Sequence, residues 1–223
     1  RGCPICASGT SVNRGIPIQY VSPSYKLAKR TIIPTMQAIM DRSSIDYSFN
    51  KTDNEFRIHS WNGIVLIGSG DDPNSLLGTN LAAAIIDEPF IQQQRVFEVI
   101  MSRVRHPDAA HREIGLTGTP EELNWGYELA ENDDGKYDIG VVTGSTRDNM
   151  HLPDDYVQSL VSGYTKQMVA AYVDGKFVNM KQGLVYTSFD RQRNEESLQA
   201  PGAKVIAGMD FNVGKMCCCI GYK

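Results

Sequence analysis

The stretch from Leu81 to Pro120 constrains the fold more than any other part of the sequence. It opens with LAAAII, a run of small and β-branched apolar residues that reads as a fully buried strand, and that run stops abruptly at two adjacent carboxylates, Asp87 and Glu88. From Gln92 to Arg105 the apolar residues Val96, Phe97, Ile100, Met101 and Val104 recur at helical spacing, which predicts a helix returning the chain to another strand, Glu113 to Thr117. That strand runs out into Thr117, Gly118, Thr119 and Pro120. Strand, acids, helix, strand and hydroxyls form a compact α/β unit. In open α/β sheets ligands collect beyond the carboxyl ends of the strands, so the acids and hydroxyls should share one edge.

Two acids at the tip of a buried strand call for a cation, and Mg²⁺ carrying the phosphates of ATP suits them. Asp87 would hold Mg²⁺ directly or through water, while Glu88 would orient and deprotonate the water that attacks the γ-phosphate. The pair looks like a Walker B motif with its catalytic glutamate. Thr117, Gly118 and Thr119 place two short hydroxyls around a glycine, a chemistry suited to sensing a phosphate. A phosphate loop of the G-x-x-x-x-G-K-[ST] type does not occur in the sequence. The Gly-Lys pairs at Lys136, Lys176 and Lys215 are followed by Tyr, Phe and Met. Without that loop no lysine and no backbone nest grips the β- and γ-phosphates, so these residues supply half of an ATPase site.

Composition sets bounds on the rest. With 223 residues, 41% apolar and 22% charged, the sequence is ordinary for a globular protein and excludes a disordered or fibrous class. A formal charge of −4 means that contact with nucleic acid must come from local basic patches. No apolar run approaches the ~20 residues of a bilayer span and no signal peptide opens the chain, which predicts a cytoplasmic protein. Three of the five cysteines, Cys217 to Cys219, are consecutive in what reads as a buried strand, where neighbours face opposite ways, so a disulfide framework is not expected. Cys3 and Cys6 form a CxxC without a second pair at finger-like spacing, weak grounds for a zinc site. The chain starts on Arg1 and ends within an uncompleted strand pattern, and it reads as a fragment of a longer protein.

Taken in order, Ile16 to Val21 reads as a strand, stopped by Ser22 and Pro23, and Ser24 to Met40 as a helix that Pro34 kinks or splits. Lys26, Lys29 and Arg30 on that helix are either DNA phosphate contacts or a solvated face. Asp46 to Asn54 reads as a loop or weak strand. Glu55 to Ser60 and Ile64 to Gly68 read as strands around the turn Trp61, Asn62, Gly63. The loop of Gly68, Gly70, Asp71, Asp72 and Pro73 shapes the approach to the central strand. After Pro120 come a short helix, Glu121 to Ala130, a turn at 132–135 and a further strand, Asp138 to Thr143. Two helices separated by Gly163 follow, with Asp154 or its neighbour capping the first, and then Leu184 to Phe189 and a polar stretch, Asp190 to Gly202. Val205 to Phe211 and Met216 to Gly221 read as two strands, the first carrying Asp210.

These segments together resemble the large subunit of the terminase of tailed double-stranded DNA phages, over nearly the whole chain. YVSPSYKLAKR resembles the strand and helix that follow the phosphate loop, LLGTNLAAAIIDEP the Walker B region and GLTGTP the coupling motif. STRDNMHLPDDYV with YVDGKFV resembles the linker, and AGMDFNVGK the first strand of the RNase H-like nuclease domain. Each motif is modest alone, but five in this order are specific.

The resemblance implies a RecA-like ASCE ATPase core lacking its phosphate loop over residues 1–144, a helical linker over 145–203 and the start of the nuclease domain over 204–223. It implies Asp87 as the Mg²⁺-binding acid, Glu88 as general base, and Thr117 to Pro120 as the element coupling hydrolysis to movement. Asp210 would be the first carboxylate of a nuclease using two Mg²⁺ or Mn²⁺ ions, whose remaining carboxylates are missing here. Implied partners are double-stranded DNA, a terminase small subunit and the portal of the procapsid, on which a homo-oligomeric ring would sit in the bacterial host cytoplasm. The residues here would then neither hydrolyse ATP well nor cut DNA alone, whereas the full-length parent would do both. Arg95, Arg103, Arg105 and Arg147 are candidates for the arginine that completes the ATPase transition state. Two other readings compete: a superfamily-2 helicase-like nucleic-acid ATPase, which the linker and the GMDF strand argue against, and a non-catalytic prophage remnant.

Overall fold

Strands whose successive residues are all apolar must be covered on both faces, and that requirement sets the architecture. The computed structural model describes residues 13–121, 123–131, 135–153, 155–178, 202, 204–210 and 217–222. The chain divides into two compact units, residues 1–181 and 182–223. In the first, the elements are β1 (Pro17–Ser22), α1 (Tyr25–Arg30), α2 (Ile32–Arg42), β2 (Tyr47–Asn50), β3 (Glu55–Ile58), β4 (Gly63–Ser69) and β5 (Ala83–Asp87). There follow α3 (Gln94–Arg103), β6 (Glu113–Thr117), α4 (Trp125–Glu131), α5 (Tyr156–Gly163) and α6 (Lys166–Met168), which runs on into a π-helical turn, Val169–Val173.

The sheet has the order β2-β3-β4-β1-β5-β6. β4, β1, β5 and β6 are mutually parallel, whereas β2 and β3 add an antiparallel edge. Alternation along the strands divides the core in two. Ile18 and Tyr20 of β1 and Ala83 and Ile85 of β5 join Ala28, Ile33, Met36 and Met40 of the helical pair α1–α2, with Phe56, Ile58, Val65 and Ile67, on one face. Val21, Ala84 and Ile86 meet Val96, Val99 and Ile100 of α3 on the other, with Leu76 and Leu81. This is the α/β architecture the sequence predicts, with its parallel strands between helical layers.

Several details differ from expectation. The helix read from Ser24 to Met40 is two helices, parting at Thr31 (φ −116°, ψ −82°) and not at Pro34 itself. The proline ring would clash with the carbonyl four residues earlier, at Arg30, so the break falls there and Pro34 sits in the first turn of α2. The cap of α1 is Ser24, whose hydroxyl accepts from Leu27 N–H at 3.1 Å. On α3 Val99 is buried together with Val96 and Ile100, while Met101 is 42% exposed. Residues 138–143 form no strand: they pair with no neighbour among the described residues, and Val142 is 97% exposed.

The second unit contributes a hairpin of β7 (Val205–Asp210) and β8 (Cys217–Tyr222), in which Asp210, the last residue of β7, pairs with Cys217. Contrary to the burial expected of the cysteine strand, Cys219, Ile220 and Met209 are exposed. A two-stranded hairpin has no layer of its own to bury them against. The turn at Gly214, Leu184 to Phe189, the polar stretch Asp190 to Gly202 apart from Gly202 itself, Asp154, and Cys3 with Cys6 lie outside the described residues. No helix among the described residues is long and apolar enough to cross a membrane.

Phe56 anchors the antiparallel edge to the main core: it is fully buried, 4.4 Å from the Phe49 ring centroid and 6.0 Å from that of Tyr47. Phe56→Ala is expected to destabilise the first unit by about 3–5 kcal/mol in urea titration, and a loss under about 1 kcal/mol would show that this edge is not integral to the core.

Candidate functional site at the carboxyl edge of the sheet

The parallel strands end together. Ser22 of β1 pairs with Ser69 of β4, and Asp87 of β5 pairs with Thr117 of β6, so the carboxyl ends line up along one edge. Beyond the last strand residue the chain turns sharply: Glu88 is left-handed, with φ 46° and ψ 53°. A non-glycine residue held there is strained by about 1–3 kcal/mol, and such strain persists where surrounding contacts over-determine it. Those contacts are visible here. The Glu88 N–H donates to the Thr117 carbonyl at 2.7 Å, continuing the strand pairing by one residue past Asp87. The Glu88 carboxylate in turn accepts the Thr119 N–H on Oε2 at 3.2 Å.

Thus the sequence-predicted residues Asp87, Glu88, Thr117, Gly118 and Thr119 converge. The Thr117 hydroxyl donates to Asp87 Oδ1 at 3.4 Å, a long contact. Gly118 has to be small: a Cβ there would come within 2.9 Å of Pro89 Cδ and 3.1 Å of Glu88 Oε2. The glycine lets the tip of β6 close on the turn at Glu88. Asp210, the remaining sequence-predicted site residue, belongs to the second unit.

Three residues that sequence reasoning passed over hold the site in place. Gln92 donates through Nε2 to the Asp87 carbonyl at 2.6 Å, and its own carbonyl accepts the Trp125 indole N–H at 3.2 Å. The Gln92 Oε1 is buried without a hydrogen-bond partner among the described residues, and a side chain at Gly70 would overlap it. The glycine loop after β4 therefore does shape the approach to β5, by admitting this amide. Glu121, the first acid after the TGTP turn, adds charge near Glu88. Tyr172, in the π-helical turn, donates its hydroxyl to Glu121; burial first, and that acceptor next, push its pKa above the usual phenol value. The signal for Glu121 was its position just past the hydroxyl turn, whereas nothing local marks Gln92 or Tyr172.

Aromatic side chains join the turn to the helical segment behind it. Phe90 lies 6.2 Å from Trp125 and 5.3 Å edge-on from Phe177, and Phe97 stacks on Trp125 at 5.7 Å. A Cβ on Gly126 would overlap the Phe90 ring, so α4 sits against the turn as closely as a backbone can. The four candidate arginines are engaged elsewhere. Arg95 pairs with Glu98 at 3.5 Å and Arg147 with Asp174 at 3.2 Å, while Arg103 and Arg105 donate to Ser102 and Asn80.

For a cation, the chemistry on offer is narrow. Among the described residues no group of three or more His, Cys, Asp or Glu could enclose a metal ion. Mg²⁺ at nucleotide sites keeps several waters and takes one or two carboxylates plus phosphate oxygens, so the half-exposed Asp87 fits that ion.

The Glu88 carboxyl is pushed above the ordinary range, first by burial, then by the negative charges of Asp87 and Glu121, against the lowering effect of the Thr119 N–H. The folded state thus holds this proton more tightly than the unfolded chain does. Keeping the ionised form folded costs stability above the raised pKa, and that cost disappears as pH falls through it. Glu88→Gln is therefore expected to raise Tm at neutral pH, with the gain shrinking toward zero on acidification. A Tm gain that persists at acid pH, or none at pH 7, would contradict this.

No protein-family model matches the sequence, and no curated protein does. Solved structures do. The large terminase of a thermophilic bacteriophage, in complex with ADP, superposes with a TM-score of 0.65 at 13% identity, over 94% of this chain and 52% of that one. The same protein in complex with ATP-gamma-S gives 0.63 at 15% identity, over 89% and 49%. The HK97 bacteriophage large terminase gives 0.52 at 12% identity, over 93% and 48%. The chain spans about half the length of the terminases it matches, and over that length it has the fold of the phage large terminases.

Proposed function

We propose that the chain is part of a terminase large subunit, a phage DNA-packaging motor in which ATP hydrolysis at Asp87 and Glu88 drives translocation of double-stranded DNA into a procapsid. The observation that carries this is the left-handed turn at Glu88, which hangs an ionisable carboxylate of raised pKa beside Asp87 at the edge where α/β folds bind phosphates. The terminase fold, seen elsewhere with ADP and ATP-gamma-S bound, supports the same reading.

In this proposal Asp87 holds the nucleotide-bound Mg²⁺, which neutralises charge on the phosphates. Thr119 N–H engages Oε2 of Glu88, which leaves Oε1 to act on the attacking water in this proposal. Glu88 takes a proton from that water as the oxygen bonds to the γ-phosphorus and the bond to the β,γ-bridging oxygen breaks. A pKa raised toward neutrality favours that step. The proton then weakens the acceptor that Thr119 N–H relies on. The β6 tip is thereby released, and through Glu121 and Tyr172 the change reaches the helical segment. Thr117, Gly118 and Thr119 thus sense hydrolysis and pass it on. In the same proposal Asp210 binds a metal ion of the nuclease, and small subunit, portal and a homo-oligomeric ring are the partners.

In the full-length protein Glu88→Gln should lower DNA-dependent ATP turnover by about 10²–10⁴-fold and leave Mn²⁺-dependent DNA cleavage intact, with Asp210→Asn doing the reverse. An ATPase that survives Glu88→Gln would sink the assignment.

A further inference from the structure

Farther along the sheet from Asp87 and Glu88, an open notch of about 290 Å³ lies between the α1–α2 pair and the tip of the β2–β3 hairpin, lined by Lys29, Ile33, Gln37, Phe49, Lys51 and Asn54. Its polar lining is rich in donors: two ammonium groups and two side-chain amides over a floor of Ile33 and Phe49. Among the described residues neither lysine has an ion pair. The acids nearest Lys51 in sequence are engaged elsewhere: Asp53 accepts from Asn50 Nδ2 at 2.6 Å and Glu55 pairs with Arg57 at 2.6 Å. Helix α1 carries no acid, and Lys26 and Arg30 add charge one turn from each other on it. A chain of net charge −4 thus keeps an uncompensated positive notch.

We propose that this notch seats the sugar-phosphate backbone of duplex DNA, with Lys29 and Lys51 on phosphate oxygens and the half-buried Phe49 side chain against sugar. Lysines act as point charges on flexible stems, which suits phosphates that carry no sequence information. An open notch with exposed lysines cannot enclose a small anion, whereas a polyanion needs no enclosure and gains by releasing counterions. The place also fits. The Asn54 carbonyl accepts the Ile67 N–H at 2.9 Å near the end of β4, so the hairpin tip stands at the carboxyl edge of the sheet. Three to four strand spacings separate it from β5, about 15–20 Å from Asp87 along that edge. A duplex seated here runs beside the hydrolytic site; only its identity as the packaged DNA rests on the terminase reading.

The test is equilibrium binding of the full-length protein to a random-sequence duplex over a salt series, comparing wild type, Lys29→Ala/Lys51→Ala and the control Lys166→Ala, with inorganic phosphate as competitor. The double variant should bind more weakly at low salt and show a slope of log K against log salt reduced by about two, with DNA-free ATP turnover unchanged. A wild-type slope in the double variant overturns the proposal, including the case in which inorganic phosphate still occupies the notch and marks it as a free-anion site. An equal reduction in Lys166→Ala overturns it too, because the effect would then be one of overall charge. A wild-type protein without ATPase activity would count against the motor reading alone, since the salt slope still decides this site.

Discussion

The structure depends on one closure: the tip of β5 is tied to the tip of β6 by backbone and side chain together. The Glu88 N–H meets the Thr117 carbonyl at 2.7 Å, and the Thr119 N–H meets the Glu88 carboxylate at 3.2 Å, across a turn whose backbone is held left-handed. Each part requires the others. The left-handed geometry at Glu88 carries the strand pairing past Asp87 and aims the carboxylate back at β6. Gly118 is the small residue that lets β6 approach, since any side chain there would meet Pro89 and Glu88. Two apolar cores, one on each face of the sheet, cover the strands that lead into this closure.

Behind the turn, strain and charge are connected to distant parts of the chain by contacts of two kinds. Aromatic packing sets Phe90 against Trp125 and Phe177, so the turn after Glu88 is in contact with α4 and with the end of the helical segment. A polar route runs from Glu88 through the charge of Glu121 to the hydroxyl of Tyr172. Tyr172 lies in a π-helical turn, a rare form often found where a helix has a task beyond packing. Its carbonyl is tied to the Thr146 hydroxyl at 2.8 Å and that of Val173 to the Ser145 hydroxyl at 2.9 Å, so the turn is braced against the start of the same segment.

How much of this could be read from residues follows from which forces are local. The strands β5 and β6 and the pairing of DE with TGT were legible because unbroken apolar runs and their abrupt ends are sequence features. The two-helix break at Thr31 was half legible: Pro34 announced it, and the clash four residues upstream placed it. Val99 was missed in favour of Met101 because a helical stripe can be drawn through either, and only the sheet beneath α3 decides between them. Residues 138–143 looked like a strand by composition, but they do not pair with the outer edge of β6, and Val142 is exposed. The cysteine strand looked buried for the same reason, although among its described residues Cys219 and Ile220 are exposed. The left-handed turn at Glu88 and the Gln92 brace were invisible, since both arise from hydrogen bonds that the local sequence pattern does not encode.

The central claim is that Asp87 and Glu88 divide one task, the first holding the nucleotide's cation and the second activating water. ATP affinity of the full-length protein, measured by calorimetry with and without Mg²⁺, tests it most directly. Wild type and Glu88→Gln should both bind ATP more tightly with Mg²⁺, by similar factors, because Glu88 acts only in turnover; Asp87→Asn should lose that enhancement. Should Asp87→Asn keep the full Mg²⁺ enhancement, the strand tip would not be the cation site and the account built on it would fail.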